Sequence, residues 1–192
     1  MRLKHKMNTL ITNPKGVFKK YFFRISYYPF SKGMLKPYLD EDYEKHWNYT
    51  SFEQKTVLDL GADYGSTAAW FHKKGSRKVI AVEAEKELYA KLEKYSENKN
   101  WLTAINEFID SPEKIDQLIT NFQPQIVKVD IEGAEKHLLN CKKLLDVPTW
   151  LIEVHSDQIK EKLANHFQKN GFSVRNAANV NNFGILVIQK IN

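Results

Sequence analysis

The chain has 192 residues, enough for one well-buried domain and too few for two ordinary ones. Its 42% hydrophobic and 27% charged content is that of a globular chain; no apolar run nears the roughly eighteen residues of a membrane span, and no apolar h-region follows Arg2, Lys4 and Lys6. The single Cys141 excludes an internal disulfide and suits a reducing compartment, so the expected location is the cytoplasm. The net charge of +6 is uneven: of 29 Lys and Arg, nine lie in residues 1–36 with no acid among them, leaving 20 against 23 acids in the remainder. The net positive charge thus comes from an N-terminal arm, where a polyanion would bind.

Residues 1–50 read as that arm and residues 51–192 as the main domain. In the arm, Asn13-Pro14 reads as an N-cap and N1 proline opening a helix, and Val17, Phe18, Tyr21, Phe22 and Ile25 recur at helical spacing. Basic residues interleaved with aromatics suit nucleic acid or an anionic membrane surface. Equally they suit a helix that packs its aromatic stripe on the main domain and leaves its lysines wet, the reading the spacing favours. Tyr27-Tyr28-Pro29-Phe30 breaks the pattern, and residues 31–55 read as an irregular or short-helical lead-in.

The apolar run Val57, Leu58, Leu60 ends at Gly61 as a short buried strand, and Gly65 precedes a helix from Ser66 to Lys74 closed by Gly75. A strand that turns on glycine into a helix places backbone N–H groups where a ligand can meet the main chain. Lys78–Glu83 is a second strand and Glu85 to about Asn98 a charged amphipathic helix; Trp101–Asn106 is a third strand, and Ser111-Pro112-Glu113 opens a helix burying Ile115, Leu118, Ile119 and Phe122. Gln125–Asp130 is a fourth strand, Gly133–Leu145 a helix, Thr149–Val154 a fifth strand, and Ser156 or Asp157 caps a helix running to Asn170-Gly171. Phe172–Arg175 and Phe183–Gln189 close the chain as two strands with no helix between them, separated by the polar Asn176–Asn182. The alternation predicts a doubly wound α/β three-layer sandwich, Rossmann-like, on a mostly parallel sheet of seven strands whose last pair forms an antiparallel hairpin.

Ligands of such sheets bind at the carboxyl ends of the strands. Here five strands in succession end in acids or amides: Asp59 and Asp63, Glu83, Asn106-Glu107, Asp130-Ile-Glu132, and Glu153-Val-His155. Unpaired buried carboxylates are costly, so this edge is expected to be a site. Glu83 stands 22 residues after Gly61, near the spacing at which an acid meets ribose hydroxyls. The turn is not the dinucleotide G-x-G-x-x-G, and Asp59 and Asp63 would repel a pyrophosphate. An acidic turn suits a nucleoside with a cationic amino-acid tail, as in S-adenosylmethionine.

The segments Val57-Leu-Asp-Leu-Gly-Ala-Asp-Tyr-Gly65, Lys128-Val-Asp-Ile-Glu-Gly-Ala-Glu135 and Leu151-Ile-Glu-Val-His155, in this order, resemble the FkbM-type family of class I S-adenosylmethionine-dependent methyltransferases. The resemblance spans roughly residues 55–190 and leaves the basic arm unmatched. It implies that Asp59, Gly61, Ala62, Asp63, Tyr64 and Gly65 line the methionine part of the cofactor and that Glu83 binds ribose with Ala84 beside the adenine. It further implies that Asn106, Glu107 and Phe108 contact the adenine, the loosest part of the match, and that Asp130 sits beside the sulfonium and its methyl.

Methyl transfer needs alignment and exclusion of water, and a base for a hydroxyl acceptor. His155 is the candidate base, with Asp130 or Glu132 orienting it or acting instead; a capping or packing histidine is the plain alternative. Glu135 reads as a structural first-turn acid. Asp130, Glu153 and His155 could gather a hard cation such as Mg²⁺, but with no ligand spacing to support it no metal is expected. His5, His46, His72, His137 and His166 have no partner pattern and read as packed or solvated. The expected activity is transfer to a hydroxyl of a sugar or other small molecule. Methylation of RNA or another polyanion through the basic arm is the alternative, although the Asp130-Ile-Glu-Gly segment lacks the N/D-P-P-Y/F of amino-directed nucleic-acid methyltransferases. A catalytically silent cofactor-binding module would leave the acids at five strand ends without a purpose.

Overall fold

The computed structural model describes residues 43–131, 133–180 and 183–191; the basic arm of residues 1–36 with its expected helix, and Glu132, lie outside the described residues. In chain order the elements are α1 (Tyr43–His46), β1 (Thr56–Leu60), α2 (Ser66–Lys73), β2 (Lys78–Glu83), α3 (Lys86–Ser96), β3 (Leu102–Asn106), α4 (Pro112–Phe122), β4 (Ile126–Val129), β5 (Thr149–Val154), α5 (Asp157–Lys169), β6 (Phe172–Val180) and β7 (Phe183–Lys190). One sheet holds all seven strands in the order β3-β2-β1-β4-β5-β7-β6. The first five are parallel, and β7 runs antiparallel between β5 and β6. Strand order reverses at β1, with β2 on one side and β4 on the other, so the crevice for a ligand opens at the end of β1.

Side chains alternate between two cores, as strand geometry requires. Leu58, Leu60, Ile80, Val82, Val127, Val129, Trp150 and Ile152 pack under α4 and α5 through Ile115, Ile119, Leu163 and Phe167. Val57, Val79, Ala81, Ile126 and Leu151 face the other way, under α1, α2 and α3 through Tyr43, Trp70, Phe71 and Leu92. The lead-in is more than a linker: Tyr43 and Trp47 are buried in the second core, and the Tyr43 hydroxyl and Ser66 Oγ lie 2.7 Å apart at the start of α2. No helix of the described residues is long and apolar enough to cross a membrane.

Two expectations are corrected. Gly133–Leu145 is not one helix but two 3₁₀ segments, Glu135–Asn140 and Leu144–Asp146. Between them the Asp116 carboxylate accepts from the Lys142 and Lys143 amides at 3.0 and 2.8 Å, taking the donors an α-helical ladder would need. The polar stretch after Arg175 is not a loop from Asn176 on: β6 continues to Val180, with a register shift between Ala177 and Asn179, because β7 offers it a continuous antiparallel partner.

Candidate active site

The turn after β1 is held shut from within. Gly61 has φ +80°, and a methyl group built on it would lie 1.9 Å from the Asp130 carbonyl oxygen, so only glycine lets the β1 and β4 ends approach this closely. The amides of Gly61 and Ala62 both donate to Val82 O, at 3.1 and 3.0 Å, and that of Gly65 to Ala62 O at 2.8 Å. The Asp63 amide donates to Glu83 Oε2 at 2.8 Å. The expectation that this turn offers its N–H groups to a ligand is therefore corrected for these four: β2 and the turn itself consume them.

Glu83 ends β2 nearly buried, and its two carboxylate oxygens accept from the Asp63 and Glu85 amides at 2.8 and 2.7 Å. It ties the turn to the strand end while retaining further acceptor capacity for hydroxyls. Asn106 donates its side-chain amide to the carbonyls of Glu83 and Ala84, at 2.8 and 3.2 Å, and so locks the ends of β2 and β3 together. Glu107 is paired with Lys114 at 2.7 Å. Next to it Phe108 is 67% exposed, one of two large hydrophobic side chains that the described residues leave open to solvent. Burial pushes the Asp63 carboxyl up to about 6, with the Glu83, Asp130 and Asp59 charges adding to the shift and Lys128 opposing it.

Asp59 is fully buried beneath the turn. Thr67 Oγ1 donates to its Oδ2 at 2.5 Å, and the Lys128 ammonium lies 3.2 Å from Oδ1. Lys128 is itself buried; it donates to Gly61 O at 2.7 Å and stands 3.5 Å from Asp130 Oδ2 and 5.2 Å from the Trp47 ring centre. Burial raises the Asp59 pKa, while Lys128 and Thr67 pull it back. The charge argument against a pyrophosphate therefore loses the Asp59 contribution, since that carboxylate is hidden and paired. Lys128 was not among the residues singled out from the sequence, although a signal existed: a lysine inside the buried run Ile126–Val129 requires a counter-charge on the same face, and the parallel register sets it directly beside Asp59.

At the next strand ends Asp130, Glu153 and His155 come together, each offering one ligand-type atom within 4.8 Å of the others. Glu135 departs from its expected role. It is buried, and its Oε1 lies 2.5 Å from Nδ1 of His155. Glu135 is thus a partner that orients His155, a role the sequence suggested for Asp130 or Glu132, and Glu132 lies outside the described residues. A 3₁₀ segment, rather than an α-helix, begins here and turns the Glu135 carboxylate towards β5. Burial pulls the His155 pKa down, but the Glu135 hydrogen bond and the charges of Glu135, Glu153 and Asp130 outweigh it, leaving the group above its ordinary value. Burial, then the Asp130 charge, raises Glu153. Away from this edge, His72 stacks on Trp101 with ring centres 4.0 Å apart, a packed role as expected.

Comparison with solved structures places the architecture. A protein of Pyrococcus horikoshii described as a candidate RNA methyltransferase superposes with a TM-score of 0.57 at 19% identity, over 85% of this chain and 96% of its own. Aeropyrum pernix fibrillarin, in complex with natively bound S-adenosyl-L-methionine, gives 0.57 at 14% identity, over 76% and 70%. The fold is the Rossmann-like one of class I methyltransferases. A precorrin-6y C5,15-methyltransferase of Geobacter metallireducens gives 0.57 at 15% identity, over 83% and 91%. No protein-family model and no curated protein matches the sequence.

Proposed function

We propose that the protein is an S-adenosylmethionine-dependent methyltransferase acting on a hydroxyl of a sugar or other small molecule, in the manner of the FkbM-type enzymes its motifs resemble. The observation that carries the reading is the commitment of the turn amides. At the switch point of the sheet a ligand meets Asp63, Glu83 and Asp130, while the Gly61, Ala62, Asp63 and Gly65 N–H groups donate inward. A phosphate needs such donors; a sulfonium nucleoside with an ammonium group does not. That three neighbouring folds belong to methyltransferases, one with S-adenosylmethionine bound, supports the same reading.

In this reading Glu83 accepts from the ribose hydroxyls, Phe108 lies against the adenine with Ala84, Asn106 and Glu107 beside it, and the turn from Asp59 to Gly65 faces the methionine part. The cofactor supplies a methyl group on a cationic sulfur that departs as a neutral thioether. The chain does the rest: Gly61 and Asp130 bring the ends of β1 and β4 together, and the buried Asp59–Lys128 pair fixes that junction. The hydroxyl proton of the acceptor leaves towards the Asp130, Glu153 and His155 group, where Glu135 holds the imidazole in place.

Calorimetry tests the cofactor. S-adenosylmethionine is expected to bind and NAD not to, with Glu83→Ala abolishing binding; equal binding by that variant, or preference for NAD, refutes the assignment. A second reading, methylation of RNA, is favoured by the nine basic residues and absent acids of residues 1–36. Salt-sensitive RNA binding that disappears when residues 1–36 are deleted would support it, and unchanged binding would remove it.

A further inference from the structure

We infer that Lys114 is a positioning residue of the cofactor site: its ammonium clamps the segment between β3 and α4 so that Phe108 is held ready for the adenine ring. The contact with adenine rests on the methyltransferase reading; the clamp does not. Phe108 comes two residues after Asn106, the last residue of β3, which pairs with Glu83 at the end of β2. The Glu107 amide donates to Glu83 O at 3.2 Å, so the segment starts fastened to the strand end that carries the candidate ribose acid. On the other side it is fastened by Ile109, which is buried in the core under α4. Between these two anchors the Phe108 side chain stands out to solvent.

One ammonium closes the segment. Lys114 Nζ lies 2.7 Å from Glu107 Oε1 and 3.1 Å from Asp110 Oδ1, and it donates to Phe108 O at 2.8 Å. An ammonium carries three donors, and these three acceptors match them in number. Two of the acceptors lie on either side of Phe108 in the chain, and the third is its own carbonyl. The backbone that carries the ring is therefore held at its flanks and at its centre. The hydrogen bond to Glu107, then that to Asp110, holds the Lys114 ammonium above its ordinary pKa, and the bond to Lys114 holds the Asp110 carboxyl below its own. The clamp is thus charged at neutral pH.

Two features separate this arrangement from an ordinary surface ion pair. First, Lys114 stands in the first turn of α4, behind Pro112 and Glu113, where the helix dipole favours an anion and disfavours an ammonium. Its contacts all go to the segment before the helix, which is what accounts for a lysine at that position. Second, an exposed ion pair adds little to stability, so the convergence of three contacts on one short segment is explained by what it holds in place. A ring already held in its bound orientation gives up less freedom when a nucleoside stacks on it, and more of the stacking energy then appears as affinity.

Two measurements on the full chain test it. Hydrogen exchange followed by nuclear magnetic resonance reads the clamp with no cofactor present: in Lys114→Met the Glu107 amide, bonded to Glu83 O, should exchange at least about fivefold faster than in the wild type. Calorimetry with S-adenosylmethionine reads the consequence. Lys114→Met should weaken binding roughly two- to tenfold, because ordering the ring is left to the binding step. In a Phe108→Ala background the same substitution should change affinity by less than about twofold, a coupling that a merely structural lysine would not show. Circular dichroism establishes that each variant is folded. Asp110→Asn keeps the lysine and removes one of its ion pairs; it should move both readouts the same way by less, and it decides the matter where Lys114→Met does not fold. Unchanged exchange at Glu107 overturns the clamp. Unchanged affinity in Lys114→Met, or an equal loss with and without Phe108, overturns the positioning of the ring. A wild-type chain that binds no S-adenosylmethionine refutes the methyltransferase reading, while the exchange rates still decide the clamp.

Discussion

Replacing Lys128 by methionine removes the ammonium that meets the fully buried Asp59. At 3.2 Å and an effective dielectric near 20, their attraction is about 5 kcal/mol. Losing it does not cost that full amount, because Asp59 escapes by taking up a proton. For a carboxyl of ordinary pKa near 3.9, binding a proton at pH 7 costs about 4 kcal/mol, and at pH 5 about 1.5 kcal/mol. The lost hydrogen bond to Gly61 O adds about 1 kcal/mol at either pH. Lys128→Met should therefore destabilise the fold by up to about 5 kcal/mol at pH 7 and up to about half that at pH 5, upper limits because burial already raises the Asp59 pKa. The sign follows from linkage: in the variant, folded Asp59 titrates above its unfolded value, so the folded state holds the extra proton and stability falls as pH rises through that window. Urea unfolding at both pH values measures it. Asp59→Asn combined with Lys128→Met should recover most of the loss at pH 7, since neither member of the buried pair then carries a charge. A Lys128→Met chain within about 1 kcal/mol of wild type at pH 7 would refute the argument, as would a loss of the same size at pH 5.

Gly61 and Gly133 both have positive φ but differ in surroundings: a methyl group at Gly61 meets the Asp130 carbonyl, and one at Gly133 meets nothing within 4 Å. Gly133→Ala should cost about 1–2 kcal/mol from backbone strain alone, and Gly61→Ala a further 1–3 kcal/mol or so from the collision, read as a difference between their denaturant midpoints at equal slope. Asp63 has its carboxyl pushed up to about 6, above its unfolded value, so its contribution to stability is present below about pH 4 and lost as pH rises through 6. Asp63→Asn, at a left-handed position that asparagine tolerates, should gain on wild type between pH 4 and 7 in thermal melts, and a difference constant across that range would refute it. Phe108→Ala should leave the melting temperature unchanged and weaken S-adenosylmethionine roughly five- to 150-fold by calorimetry, the loss of about 1–3 kcal/mol of stacking. Unchanged affinity would remove Phe108 from the adenine site.

The strands were legible because each is a short apolar run bounded by glycine, proline or acids, and the parallel sheet follows from the helices between them. Lys78–Glu83 and Thr149–Val154 have the same limits in sequence and structure. What failed to be legible depends on contacts distant in sequence. The segment after Gly133 carries helical apolar spacing, but its continuity is decided by Asp116, whose carboxylate takes the Lys142 and Lys143 amides from 26 and 27 residues away. The end of β6 is polar and reads as a loop, and only the register with β7 keeps Asn176 to Val180 extended.

At the site, the acids were legible as a class and their duties were not, because a carboxylate at a strand end can serve the chain or a ligand and only its partners decide. Asp59 faces inward to Lys128 and Thr67, and Asn106 faces back to the β2 carbonyls. Glu135 holds His155. Strand alternation orders them. Asp59, Glu83, Lys128 and Glu153 share a side with Val57, Ala81, Ile126 and Leu151, which pack under α1, α2 and α3. Asp130 and His155 extend the same alternation one residue further. The opposite face, under α4 and α5, carries Leu58, Leu60, Val127, Trp150 and Ile152, and its one charged strand residue here is Lys78, at the start of β2 and away from the carboxyl ends, over the Phe122 ring. The acids at the strand ends therefore fall on one face of the sheet, and the face under α4 and α5 is given to packing. A large-to-small change such as Phe167→Ala should lower stability by about 3–5 kcal/mol while cofactor affinity, measured on the folded fraction, stays the same.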